Sequence, residues 1–126
     1  GLLRAGIEAW FAEDYLKAIH LLAPQAEAAL REWLVILGES PMRPDAESGG
    51  FEAIGMGKVL HTESFRTKVD QTLWLHLRAL YTDAKGLNLR NRIAHGLASP
   101  EALNRGAANW VIHSLLAIRT YAHLRK

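Results

Sequence analysis

The stretch DYLKAIHLLAPQAEAALREWLVILG, residues 14–38, decides the fold. Tyr15, Ile19, Leu22, Ala26, Leu30, Trp33 and Leu37 recur at steps of three and four, which places them along one stripe of an α-helix. Asp14 precedes the stripe where a carboxylate can cap the first turn. Gly38 follows it where a helix ends in a left-handed residue. Pro24 lies inside, removes a backbone donor and predicts a kink.

Outward from this helix the pattern stays helical. Upstream, Leu3, Ile7, Trp10 and Phe11 mark one face of a short first helix. Downstream, from Glu39 to Gly57, the period dissolves among Ser40-Pro41, Arg43-Pro44, Gly49-Gly50, Gly55 and Gly57. A connection of that length in a small domain is either mobile or functional. Periodicity resumes after Thr62 or Ser64, with Phe65, Val69, Leu73, Leu77 and Leu80 on one face of a helix over about 64–83. Tyr81 lies beside that stripe, and Gly86 closes the segment. A short helix is expected from Asn88 to Ala94, ended by Gly96. Ser99-Pro100-Glu101 combines a capping hydroxyl, a proline suited to the first turn and a carboxylate at the positive dipole end. The last helix is therefore expected to start there and to bury Leu103, Ala107, Trp110, Ser114, Ile118 and Tyr121, with a break near Gly106. No β-alternation and no internal repeat is read. The expected fold is all-α, a small up-and-down bundle with a long Gly/Pro-rich connection between its second and third helices.

A chain of 126 residues makes one domain, 1–126, with a single core. It opens on Gly1 directly in helical pattern, as the C-terminal part of a longer protein would. No apolar run approaches the roughly eighteen residues of a membrane span, and no signal-peptide pattern opens it. The absence of cysteine excludes disulfides and thiolate metal sites, and fits a cytoplasmic location. Charge is uneven. Residues 1–60 hold 5 basic and 9 acidic side chains, a net of −4, whereas residues 61–126 hold 10 and 4, a net of +6. Such a gradient is compatible with a polyanionic partner, although solvated helix faces also produce it.

The basic half contains Leu89-Arg90-Asn91-Arg92-Ile93-Ala94-His95-Gly96. A histidine can exchange a proton near neutral pH, and a guanidinium can hold a phosphate, a pairing suited to attack on a phosphodiester. At about 100° per residue, Asn91 lies roughly 40° from His95 and Arg92 about 60° away on the other side. Arg90 is about 140° away, so only its long side chain or an irregular helix start brings it to the same phosphate.

These seven residues, Arg90 to Gly96, resemble the Arg-Asn-x-x-x-His-Gly signature of domain of unknown function 4209. That family in turn resembles the HEPN superfamily (higher eukaryotes and prokaryotes nucleotide-binding). The HEPN pattern is an arginine, then four to six residues and a histidine, with a polar residue such as asparagine after the arginine. Arg90, Asn91 and His95 match it position by position. The motif likeness spans about 89–101, and two long helices before and one after extend it to most of the chain. The resemblance implies a dimeric all-α domain that binds RNA or a nucleotide. It also implies a metal-independent endoribonuclease with Arg90, Asn91 and His95 as catalytic residues, or a non-catalytic scaffold. Arg92 is the further candidate for substrate contact. No cofactor and no metal is expected.

Chemically, RNA supplies its own nucleophile in the ribose 2′-hydroxyl. His95 would be general base or acid, Arg90 would stabilise charge on the phosphoryl oxygens, and Asn91 would orient the histidine or the phosphate. A base and an acid are both needed, and one motif holds one histidine. A two-fold dimer would supply two.

Each element also has a structural reading. His95 suits the negative end of a helix dipole, Asn91 can bond backbone, and Arg90 and Arg92 can be solvated charges. His20, His61, His76, His113 and His123 show no ligand spacing. Trp10, Trp33, Trp74 and Trp110 fall on or beside apolar stripes and are read as core. Gly55, Met56, Gly57 and Lys58 could contact a ligand but read better as flexible connection. Three functions follow: an RNA-binding, RNA-cleaving domain; a helical dimerisation or interaction module; and nucleotide or small-anion binding at the same cluster.

Overall fold

The computed structural model describes residues 1–124, the side chains of His123 and Leu124 excepted. Among the described residues it is mainly helical, and no helix is long and apolar enough to cross a membrane.

Helix α2, Tyr15–Ile36, is the organiser: α1, α3, α6 and α7 all pack on it. Asp14 caps it, accepting from the Lys17 amide at 3.2 Å. Its apolar stripe is buried from Ile19 to Trp33. It runs through Pro24 as one element and stops at Gly38, whose φ of +95° favours glycine.

The first helix, α1 (Leu2–Phe11), buries a different face from the one its large apolar residues mark. Gly6 and Ala9 face α2. A Cβ on Gly6 would stand 2.5 Å from Leu22 Cδ2. The close approach that small residues allow leaves Leu3, Ile7 and Phe11 exposed, Phe11 at 74 %. Trp10 is half-buried, its Nε1–H donating to Asn109 Oδ1 at 2.8 Å.

The segment after α2 departs from the sequence reading. Strands β1 (Met42–Pro44) and β2 (Phe51–Ala53) pair antiparallel, with Arg43 opposite Glu52. The turn between them is tied by Asp45, which accepts from the Glu47 amide and the Ser48 hydroxyl. Strands this short carry no visible alternation, and side-chain bonds in the turn specify the hairpin. Helix α3 (Met56–Leu60) follows, with Met56, Val59 and Leu60 in the core.

The stripe expected as one helix over 64–83 is two. Thr62 caps α4 (Glu63–Lys68), Val69 is extended, and Asp70 caps α5 (Gln71–Tyr81) by accepting from the Leu73 amide at 3.0 Å. Phe65, Val69, Leu73, Leu77 and Leu80 are nevertheless all buried. Trp33 meets Phe65 edge-on, with centroids 5.2 Å apart. The buried Tyr81 hydroxyl bonds Ser114, which also donates to the Val111 carbonyl at 2.7 Å. Burial pushes the Tyr81 phenol well above its ordinary range, against the lowering effect of Ser114.

The last helix also starts later than expected. Ser99 closes a single turn, accepting from the Ala102 amide, and Leu103 is buried ahead of the helix proper. Asn104 then caps α7 (Arg105–Leu124), accepting from the Ala107 amide at 3.0 Å. Ala107, Ser114 and Ile118 are buried as read. Trp110 and Tyr121 are not, at 48 % and 42 % exposed, because α2 and α5 cover only part of the α7 surface.

Candidate functional site

The motif residues lie on α6, Leu89–Ala94, which packs against α2 and α5. Its position is set from both ends. Gly86 lies so close to α5 that a Cβ would meet the Ala79 carbonyl, and Leu87 N–H donates to that same oxygen at 2.9 Å. Asn88 adopts the left-handed conformation at φ 52° to turn the chain into α6. Leu89 is buried as the anchor, and Gly96, at φ +67°, ends the segment.

Arg90 points to α2. Its Nε donates to Glu27 Oε1 at 2.9 Å. Glu27 also accepts from the Met56 amide at 2.9 Å and pairs through Oε2 with Arg31 Nη1 at 3.2 Å. Burial alone would raise the Glu27 carboxyl. The Met56 amide and the Arg90 and Arg31 guanidiniums outweigh it and hold the group below its usual value. Glu27 thus joins α2, α3 and α6 through one carboxylate.

Asn91 turns toward α5. Its Nδ2 donates to Asn88 Oδ1 at 2.9 Å and to the Thr82 carbonyl at 3.4 Å. Arg92 and His95 are exposed, and neither side chain makes a hydrogen bond or ion pair among the described residues. His95 is the C-cap residue, its backbone amide donating to the Asn91 carbonyl at 3.0 Å.

Arg90 and Asn91 line a cleft of about 570 Å³ with Glu27, Arg31, Arg43 and Lys58. A smaller apolar cavity of about 230 Å³, walled by Ala23, Pro24, Ile93 and Ala94, meets it at Glu27 and Arg90. Arg92 and His95 line neither cavity. The structure therefore gathers half of the motif into a basic cleft and sets the other half on the open surface.

Glu27, Arg31 and Arg43 were not singled out in the sequence. The signal for the first two is the i, i+4 spacing of a carboxylate and a guanidinium on one helix face. Arg43 reaches the site only because the hairpin folds back, which no local pattern announces.

The other histidines are dispersed. His20 Nδ1 bonds the Leu16 carbonyl at 2.8 Å, and His61 caps α3. His76 and His113 meet Trp110 across α5 and α7, the rings 5.1–5.8 Å apart. His123 lies outside the described side chains. Of the tryptophans, Trp33 is buried and Trp74 is partly covered, bonding the Leu60 carbonyl at 2.6 Å. In comparisons with known proteins, no family model, no curated protein and no solved structure matches the chain.

Proposed function

We propose that this chain is a HEPN-like RNA-binding domain that cleaves RNA without a metal, through Arg90, Asn91 and His95 across a homodimer. The observation that carries the reading is the state of His95. Its imidazole is exposed, has no hydrogen-bond or ion-pair partner among the described residues, and sits at the C-terminal end of α6. A group in that state can approach a substrate and exchange a proton with it.

In the proposed reaction one His95 removes the 2′-hydroxyl proton and the 2′-oxygen attacks phosphorus. The bond to the 5′-oxygen breaks, and the His95 of a second copy protonates that oxygen. The products are a 2′,3′-cyclic phosphate and a free 5′-hydroxyl. Arg90, braced on Glu27 through Nε, keeps its Nη donors for phosphoryl oxygens.

A second reading, a non-catalytic interaction or nucleotide-binding module, draws on the same geometry. Arg90 and Asn91 already have partners that hold α6 on α2 and α5. The deciding experiment incubates the protein with single-stranded RNA in excess EDTA. His95→Ala is expected to abolish cleavage while melting temperature and RNA affinity stay near wild type. Arg90→Ala is expected to weaken both cleavage and binding, and Arg92→Ala to reduce binding. A strand with 2′-deoxyribose at the scissile position should be inert. If the wild type cuts no RNA and His95→Ala lowers the melting temperature, the module reading replaces this one.

A further inference from the structure

The cleft beside Arg90 holds more positive charge than its one carboxylate neutralises. Arg31 and Arg90 share Glu27, so a full positive charge is left over from that trio. Arg43 enters from β1 and is paired with Glu52 at 2.6 Å, both groups about two-fifths exposed, where pairing is weak. Lys58, from α3, has no partner among the described residues. Three of these cations come from the acidic half of the chain, so the half-by-half charge sum concealed them.

The donors are also arranged to be used. Arg90 bonds Glu27 through Nε, leaving its Nη groups without a partner among the described residues. Its Nη2 faces the floor of the cleft, 3.3 Å from where a Cβ on Gly55 would stand. Gly57 is open, with nothing within 4 Å of an added Cβ. Gly55 lets the Arg90 guanidinium lie close against the backbone, and Gly57 leaves open space beside it for a ligand. Because Glu27 already holds Arg31 and Arg90 in place, binding does not have to order them.

We infer that this cleft is a phosphate-binding site, seating a phosphate of single-stranded RNA between Arg90, Lys58 and Arg43. The inference rests on the RNA-binding reading above and adds Lys58 and Arg43, neither of them in the motif, to the phosphate contact already given to Arg90. Guanidinium forks match phosphate oxygens in pairs, and several cations suit a strongly charged anion better than a carboxylate. The apolar cavity of Ala23, Pro24, Ile93 and Ala94 opens from the same two residues, Glu27 and Arg90. A charged pocket joined to an apolar wall fits the alternation of phosphate and sugar or base in a strand.

The test is fluorescence anisotropy with a ten-nucleotide single-stranded RNA, with and without a 5′-phosphate, across a salt series. Lys58→Gln and Arg43→Gln are each expected to weaken binding roughly threefold to tenfold and to reduce the salt slope by about 0.7 per lost contact. Both residues are surface groups, and unchanged melting temperatures check that folding is intact. Arg119→Gln removes an exposed charge paired with Glu32 on the α7 side and is expected to bind as wild type. Equal affinity for the two strands assigns the site to a backbone phosphate, and preference for the 5′-phosphorylated strand to a terminal one. If RNA binds and neither Lys58→Gln nor Arg43→Gln weakens it, the cleft inference fails and the RNA reading survives. If no RNA binds, pyrophosphate is titrated against the Gly55 and Gly57 amide resonances. Saturable shifts keep the cleft as an anion site and overturn the RNA reading, and no shift overturns both.

Discussion

His76 shows how a single residue takes its chemistry from its neighbours. Its Nε2 is buried without a partner among the described residues, and its ring faces Trp110 and His113. Burial first, and the adjacent His113 second, push its pKa below the ordinary imidazole value of 6.5. The unfolded chain, with the ordinary value, therefore takes up a proton before the folded one does as pH falls. The stabilisation is complete above pH 6.5 and is lost as pH drops through the lower folded value. Melting temperatures at pH 7.5 and 5.5 are expected to fall more for wild type than for His76→Gln. An equal fall in both would show that this ring does not carry the acid sensitivity. No spacing in the sequence distinguished His76 from the other histidines, because burial and the approach of α7 set its state.

At the scale of elements, caps decide where helices break. Apolar period alone joined Phe65 to Leu80 in one helix, and the buried face is indeed continuous. The backbone is not, because Asp70 offers its carboxylate to the Leu73 amide and begins a second helix. The sign of one substitution tests this. Asp70→Ala is expected to destabilise by about 1 kcal/mol through the lost cap, a fall of a few degrees in melting temperature. Within an unbroken helix the same change would stabilise, since alanine is the better helix former. A rise in melting temperature would restore the single helix. Asn104 acts similarly on α7, where the stronger-looking Ser99-Pro100-Glu101 signal closes only one turn.

At the scale of the whole molecule, the apolar surface exceeds what one small core absorbs. Leu3, Ile7 and Phe11 remain exposed on α1, and Leu97 is 71 % exposed immediately after His95 and Gly96. The proposed cleavage needs two His95 rings in one cleft, so the interface has to include the end of α6. Light scattering at tens of micromolar is expected to give a dimer, and Leu97→Glu to give a monomer without cleavage. A dimer that survives Leu97→Glu but is broken by Phe11→Glu would place the interface on α1, and the module reading would gain. A strict monomer would remove the composite site and leave RNA binding in the cleft open.

Local pattern suffices for the helical class, the α2 stripe and its Asp14 and Gly38 ends, and the short helix bearing Arg90 to Ala94. These follow from period and capping, which act within a few residues of one another and are therefore written locally. Long-range packing sets the rest: α1 buries Gly6 and Ala9, residues 42–53 pair as a hairpin, and Glu27 gathers Arg31 and Arg90 into one cleft. Each of those depends on groups far apart in the chain. Close helix approach selects small residues over large ones, strand pairing needs a partner across a turn, and a half-buried carboxylate collects whichever cations the packing brings to it.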